Sequence, residues 1–238
     1  MKHVPVLVEA TMASPLVVTV PVPLEGILYD ERFRRTSRMG DPLEYVAYRD
    51  GYPVASAGAM VCDGIAGPGF AEVRLSKSIK RSDRAEEILL HGADANSKIS
   101  EMSPYRPQID RRTAIEGVST VAFLAMADVD ALNSALARTP SIGGLRMRSY
   151  GEVAEWSVRE TECENERDFG WYGGGMLLRR LPRRLAEERF GQVPEGAYVD
   201  FCRPEPPFTD EDGRDEVAAP LLNSMIMTRH KAMDVGFL

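Results

Sequence analysis

The 238-residue sequence is poor in residues that bind metals or form disulfides, with three cysteines and three histidines. Cys62, Cys163 and Cys202 lie far apart in the chain, so their spacing indicates neither a disulfide framework nor a pair of zinc ligands. A reducing cytoplasm suits such a sequence. We therefore expect a cytoplasmic protein without a metal ion or a bound cofactor.

Long hydrophobic runs are also lacking. The longest apolar stretches are short and interrupted by Pro or Glu, so we expect no segment that crosses a membrane. The first residues, MKHVPVLVEATM, alternate between apolar and polar side chains and carry no signal-peptide cleavage pattern. Apolar residues make up 44% of the chain and charged residues 27%, which is typical of a soluble globular protein with one large domain or two small ones.

The net charge of −7 disfavours nucleic-acid binding by the protein as a whole, but the charge is unevenly distributed. From Glu195 onward there are nine acidic and four basic residues, which leaves a net charge of only −2 for the preceding part. The segment Glu72–Arg84 has five basic and two acidic residues, and Arg32–Arg38 has four arginines and no acid. Such patches can bind RNA inside a larger complex, although a solvated charged surface is the commoner explanation.

The most distinctive stretch is Ser141–Val158, SIGGLRMRSYGEVAEWSV, whose first part (residues 141–151) we call the glycine loop. An apolar strand pattern over 119–125 and a helix capped by Asp128 precede it, and an alternating strand pattern follows. Rossmann and P-loop sites place their glycines after a strand and before a helix, the reverse of this order. Glycines let backbone amides approach an anion, and the two arginines add charge. The alternative is a glycine-rich turn with solvated arginines.

The remaining patterns complete a regular order of elements. We predict strand 4–12, helix 23–36, a hairpin of strands 54–62 and 70–75, strand 119–125, helix 128–138 and strand 151–159. This is the β-α-β-β-α-β order of an α+β, ferredoxin-like (RRM-like) domain with an extended central hairpin. We expect this domain to span 1–160, with the hairpin insertion at about 40–118, and a smaller β-rich lobe with an acidic tail to span 161–238.

Four segments taken in order resemble the RAMP superfamily of CRISPR-associated proteins. The resemblance covers about residues 4 to 185 and is greatest to the subunit that caps the 5′ end of the guide RNA in class 1 effector complexes, in its type IV form. The segments are ASPLVV…PLEGIL (Ala13–Leu28), PVASAGAM with LSKSIKR (Pro53–Arg81), IGGLRMRSYGEVAEWSV (Ile142–Val158) and MLLRRLP (Met176–Pro182).

The resemblance implies a non-catalytic RNA-binding subunit that grips the 5′ handle of the guide RNA and caps the backbone filament. Its expected partners are the guide RNA, a backbone RAMP subunit, the large subunit and, indirectly, target DNA. Grip on single-stranded RNA needs cations for phosphates, amides for close approach and aromatic rings for bases. The expected RNA-binding residues are Gly143, Gly144, Arg146, Arg148 and Tyr150, then Lys77, Lys80, Arg81 and Arg84, and then Arg179 and Arg180.

Two other functions remain open. A processing endoribonuclease of the same superfamily would need a general acid and base, for which His3, His91 and His230 are the available histidines. None of them is near the glycine loop in sequence, although His91 lies in a predicted loop (residues 91–110) that follows a predicted helix at 83–90. A protein-interaction domain or a small-molecule enzyme without a nucleic-acid partner would fit the acidic net charge.

Overall fold

The structure is a computed structural model that describes residues 2–37, 42–63, 68–77, 108–204 and 213–238. The chain divides into two compact units. The first comprises Met1–Phe70 and Ile115–Leu238, and the second comprises Ala71–Ala114. The helix predicted at 83–90 and the predicted loop that contains His91 lie outside the described residues.

The described residues form strands and helices in a mixed α and β arrangement, consistent with the α+β class. The helices are α1 (Leu24–Thr36), α2 (Val129–Leu136), α3 (Arg183–Phe190) and α4 (Arg229–Val235). The strands are β1 (Val4–Met12), β2 (Leu16–Val17), β3 (Tyr48–Arg49), β4 (Tyr52–Pro53), β5 (Ala59–Cys62), β6 (Gly69–Lys77), β7 (Gln108–Glu116), β8 (Val118–Ala127), β9 (Val153–Glu160), β10 (Tyr172–Gly173), β11 (Met176–Leu177), β12 (Leu181–Pro182), β13 (Ala197–Cys202), β14 (Asp215–Pro220) and β15 (Ile226–Thr228).

A five-stranded sheet with the order β15-β5-β8-β1-β9 forms the centre of the first unit. Neighbouring strands are antiparallel except for β15, which runs parallel to β5. Val8 of β1 lies opposite Phe123 of β8 and Val158 of β9. Because side chains alternate along a strand, these three residues share one face, where the rings of Phe123 and Trp156 are 6.4 Å apart. This face is part of the main hydrophobic core.

Local sequence signals account for helices α1 and α2, and both predicted helices are confirmed. Leu24 and Leu28, one turn apart, are fully buried, and the helix ends where Ser37 adopts a left-handed conformation and its amide donates to the Phe33 carbonyl. Helix α2 begins after Asp128, whose carboxylate accepts a hydrogen bond from the amide of Ala131 at 3.1 Å.

The predicted central hairpin is wrong. Strand β5 pairs with β8 and β15 in the main sheet, whereas β6 is the hydrogen-bonded neighbour of β7. All four residues of β5 are buried, which suits the interior of a sheet rather than a protruding hairpin. Strand β7 begins at Gln108, inside the segment expected to be a loop, and its sequence QIDRRTAIE lacks the apolar alternation that predicts a strand.

Residues beyond 160 form the two-stranded β10-β11 pair and a three-stranded sheet in the order β12-β14-β13. A second, smaller hydrophobic cluster lies here and contains Trp171, Leu177, Leu181, Leu185, Ala186 and Ala218. The segment expected to be an acidic tail includes β15, which lies at the edge of the main sheet, and the fully buried Phe237. Within the described parts of the chain, no helix combines the length and apolar character needed to cross a membrane.

The Asp128 cap provides a test of how α2 is stabilised. We expect Asp128→Ala to lower the free energy of unfolding by about 1 kcal/mol, because the Ala131 amide loses its acceptor. Asp128→Asn retains an acceptor oxygen and is expected to stay close to wild type. Urea denaturation of the three proteins measures both values, and equal losses for the two variants would contradict the capping role.

Candidate nucleic-acid interface

The glycine loop is closed at its base by backbone hydrogen bonds to the segment that follows β1. The amide of Gly151 donates to the Pro15 carbonyl at 2.8 Å, and the amide of Gly144 donates to the Val17 carbonyl at 2.7 Å. Inside the loop, the amide of the buried Ile142 donates to the Gly151 carbonyl at 2.8 Å. The base of the loop is therefore tied to the rest of the protein by backbone hydrogen bonds.

These contacts correct the expected role of the glycines. The Gly144 amide is already bonded to the Val17 carbonyl, so it does not cradle a phosphate. Gly143 has a φ of +78°, and a Cβ atom there would lie 2.9 Å from the Val17 carbonyl oxygen. Glycine is needed at 143 for a left-handed backbone and for close packing against its own chain. We therefore withdraw Gly144 as a phosphate contact, whereas the contact predicted for Gly143 stays a prediction.

The tip of the loop is a short 3-10 turn, Arg146–Arg148, and here the predicted residues differ in their environment. Arg146 donates to the Asp30 carboxylate of α1 at 2.6 Å. Arg148 is exposed and has no side-chain partner within the described part of the chain. Tyr150 is half-buried. The exposed guanidinium of Arg148 is thus the predicted cation of this loop that is most accessible to a ligand.

Arg146 also lines a cleft of about 210 Å³, which we call the arginine cleft. Three segments contribute to it: the last turns of α1, the residues after α2 and the glycine loop. It brings together cations that are far apart in sequence. Its lining residues are Asp30, Glu31, Arg34, Arg35, Arg138, Thr139, Pro140, Ser141 and Arg146.

The arginine cleft has more positive than negative charge, because four arginines face two carboxylates. Asp30 is shared by Arg146 and Arg34, the latter at 3.2 Å. Glu31 is likewise shared by Arg138 at 2.5 Å and Arg35 at 3.6 Å. Each carboxylate thus serves two guanidinium groups, and each guanidinium has five N–H donors, so donors remain for an anionic ligand.

Burial determines how the charges of the arginine cleft behave. The Glu31 side chain is only 6% exposed, whereas the Arg34 and Arg35 side chains are 58% and 57% exposed. The hydrogen bond to Glu31 raises the pKa of Arg138 above its usual value. Arg138 therefore holds its charge next to Glu31, and the Arg34 and Arg35 side chains are directed largely to solvent.

Some residues of this cleft were predicted from the sequence. The basic patch at the end of α1 includes Arg34 and Arg35, and Arg146 was predicted as a cation of the glycine loop. The sequence did not predict that these residues lie at one cleft. Arg138 was missed, although its position directly after α2 and before the glycine loop was a usable signal. The contact of Arg138 with Glu31 spans 107 positions of sequence, which no local pattern reveals.

The remaining predicted residues lie elsewhere. Lys77 is the last residue of β6, and nothing is described of its side chain, while Lys80, Arg81 and Arg84 lie outside the described residues. Arg180 is half-buried and lines a separate small pocket with Tyr198 and several prolines. Of the predicted residues that the structure describes, Arg146 lines a cleft together with other arginines.

Arg179 was predicted to bind RNA, and its buried position contradicts this prediction. Its side chain is 0% exposed and donates to the Glu25 carboxylate at 2.9 Å, to the Arg180 carbonyl at 3.0 Å and to the Pro53 carbonyl. A guanidinium with no exposed surface does not reach RNA. Arg179 instead joins α1 to the segment after β11 through an ion pair inside the protein.

Tyr45 shares the electrostatic environment of the arginine cleft. Burial, and then the nearby Glu31 carboxylate, raise the pKa of Tyr45 to about 12. The phenol is therefore neutral at physiological pH and far from the range that suits a general acid or base. His3 contacts the Glu44 carbonyl at 3.0 Å, and His230 contacts Asp234 of the same helix at 3.1 Å, so neither belongs to the lining of the cleft.

Comparison with known proteins gives no family assignment, since no protein-family model and no curated protein matches the sequence.

The geometry around two glycines with a positive φ predicts that alanine substitution lowers the free energy of unfolding by different amounts. Gly151 has a φ of +67°, and a Cβ there would lie 1.9 Å from the Ile142 carbonyl oxygen, whereas Gly175 has a φ of +76° and open space around it. We expect Gly175→Ala to cost about 1–2 kcal/mol, the penalty for a left-handed alanine. Gly151→Ala should cost clearly more because the clash adds to it, and urea denaturation measures both. Equal costs would contradict the close packing at Gly151.

The buried ion pair predicts a large effect at Arg179. Because Arg179→Ala leaves the Glu25 carboxylate buried without its guanidinium, we expect a loss of about 3–5 kcal/mol in the free energy of unfolding. Arg184→Ala, at an exposed position of α3, is the matched control and should change stability by less than about 0.5 kcal/mol. A loss for Arg179→Ala as small as the loss for Arg184→Ala would show that Arg179 is not a structural residue.

Proposed function

We propose that this protein is a non-catalytic RNA-binding subunit that grips single-stranded RNA at the arginine cleft and the tip of the glycine loop. The observation that carries the proposal is the convergence of Arg34, Arg35, Arg138 and Arg146 on one cleft, whose lining among the described residues contains two carboxylates. The exposed guanidinium of Arg148 follows Arg146 in the same turn. The protein is acidic overall, yet it has an excess of cations at the arginine cleft.

Phosphate groups are the ligands that such a surface fits best. A guanidinium forms paired, charge-assisted hydrogen bonds with phosphate oxygens, and it keeps its charge at all physiological pH values. Asp30 and Glu31 hold the arginines in position and occupy only part of their donors. Contacts of this kind bind the RNA backbone without reading its sequence.

The strand order supports a second part of the proposal, namely a ferredoxin-like core. The four strands β5-β8-β1-β9 are antiparallel neighbours, with α1 between β1 and β5 in sequence and α2 between β8 and β9. On this basis we propose that the core is a β-α-β-β-α-β motif, with β15 added at one edge. The glycine loop then enters the last strand of the motif.

The resemblance to RAMP proteins supplies the biological setting of the proposal. In that setting the subunit belongs to a type IV-like CRISPR effector complex and holds the 5′ handle of the guide RNA. A backbone RAMP subunit and the large subunit are its protein partners, and target DNA is reached indirectly through the guide. The role is structural, since both cleft carboxylates are engaged by guanidinium groups and the Tyr45 phenol stays neutral.

The salt dependence of RNA binding tests the arginine cleft. We expect the double variant Arg34→Gln, Arg35→Gln to bind single-stranded RNA more weakly. Each phosphate contact on a single strand contributes about 0.7 to the slope of log affinity against log salt, so the slope should flatten by about 1.4. Fluorescence anisotropy of a labelled single-stranded RNA, titrated at several salt concentrations, provides both values.

Arg183→Gln, Arg184→Gln on α3 is the matched control, because it removes the same charge from another surface. This control should leave the slope unchanged. An equal loss in both double variants would indicate a net-charge effect, and an unchanged slope for Arg34→Gln, Arg35→Gln would remove the cleft from the interface. Site-specific cutting of a labelled repeat RNA, lost on His91→Ala, would favour the endoribonuclease instead.

A further inference from the structure

The tip of the glycine loop carries an apolar side chain in an unusual position. Met147 is 102% exposed, whereas the next most exposed large apolar side chain among the described residues, Phe201, is 63% exposed. The neighbours of Met147 on both sides are arginines. Exposing a large apolar side chain this completely gains nothing for folding, and here the side chain lies between two cations on one short turn.

The backbone around Met147 is held in a conformation that most residues avoid. Leu145 and Ser149 flank the turn with φ values of +57° and +60°. Only four non-glycine residues of the described chain have positive φ, and two of them bound this one turn. A left-handed conformation is uncommon for a branched residue such as leucine. Strained backbone of this kind is concentrated at ligand-binding and switch sites.

Several contacts fix the tip in place. The Arg148 amide donates to the Leu145 carbonyl at 2.8 Å, and the Ser149 amide donates to the Arg146 carbonyl at 3.3 Å. The Arg146 side chain is anchored to Asp30 of α1. Met147 is therefore presented on a pre-organised turn, and a ligand that contacts it does not have to order the loop first.

We propose that Met147 inserts between two adjacent nucleobases of the bound single-stranded RNA while Arg148 contacts the phosphate that links them. This inference rests on the proposed function and names the chemistry that the loop tip recognises. A methionine side chain is unbranched and polarizable, makes favourable sulfur–aromatic contacts, and belongs to the residues that proteins use as wedges between base steps.

The charge around Met147 favours nucleic acid over a protein partner. An apolar group between two cations complements a chain whose apolar base faces are joined by anionic phosphates. Arg148 is exposed and has no side-chain partner within the described residues, so it is available for a phosphate next to the inserted methionine. The arginine cleft lies beside the same turn, because Arg146 belongs to both.

The experiment uses the full chain and single-stranded RNAs of about 16 nucleotides, the upper end of the site size of single-strand binding domains. Each RNA carries 2-aminopurine at a different position, because its fluorescence rises when the base is unstacked. We expect binding of wild type to raise the emission at one or two adjacent positions. Met147→Ala should abolish this rise and lower the affinity about tenfold, while the salt slope stays unchanged because no charge is removed.

Met147→Leu, which keeps an apolar wedge, should retain the rise in emission, and Met233→Ala is the matched control at an exposed methionine of α4. Wild-type binding with an emission profile that Met147→Ala does not change overturns the wedge and leaves the proposed function standing. A loss of affinity without a change in emission also overturns it, since Met147 would then contact the RNA outside the base stack. Failure of wild type to bind any of the RNAs overturns the proposed function together with the wedge.

Discussion

The candidate interface depends on two backbone carbonyls in the segment after β1. The carbonyls of Pro15 and Val17 accept the amides of Gly151 and Gly144, and these bonds close the base of the glycine loop. The same closure allows Arg146 to reach the Asp30 carboxylate of α1. The glycines therefore act indirectly, by bringing the loop close enough for Arg146 to join the arginines of α1 and of the residues after α2.

Sequence patterns predicted the elements whose signals are local. Strand β1, helix α1 and helix α2 with its Asp128 cap were all recognised, because each depends on residues within a few positions of one another. The partners of β5 were not recognised, since the short apolar run of β5 contains no information about which strand lies beside it. Strand β7 was missed because charged and polar residues interrupt its apolar alternation. Pairing of distant segments is settled by the packing of the whole sheet.

The arginines show the same limit within the candidate site. Arg146 and Arg179 were both predicted to bind RNA, yet Arg146 lines a cleft and Arg179 is completely buried. The difference is made by partners at great sequence distance: Asp30 lies 116 positions from Arg146, and Glu25 lies 154 positions from Arg179. Composition and spacing identified the cations, and the fold separated Arg146, which lines a cleft, from Arg179, which is buried in an ion pair.

The parallel pairing of β15 with β5 affects how the protein acquires its structure during synthesis. Ile226 of β15 lies opposite Met60 of β5, so this contact joins residues more than half of the chain apart. Until residues 226–228 have left the ribosome, the hydrogen-bonding groups on that side of β5 stay uncovered in the nascent polypeptide. Contacts of such long range slow folding, and uncovered strand edges promote aggregation.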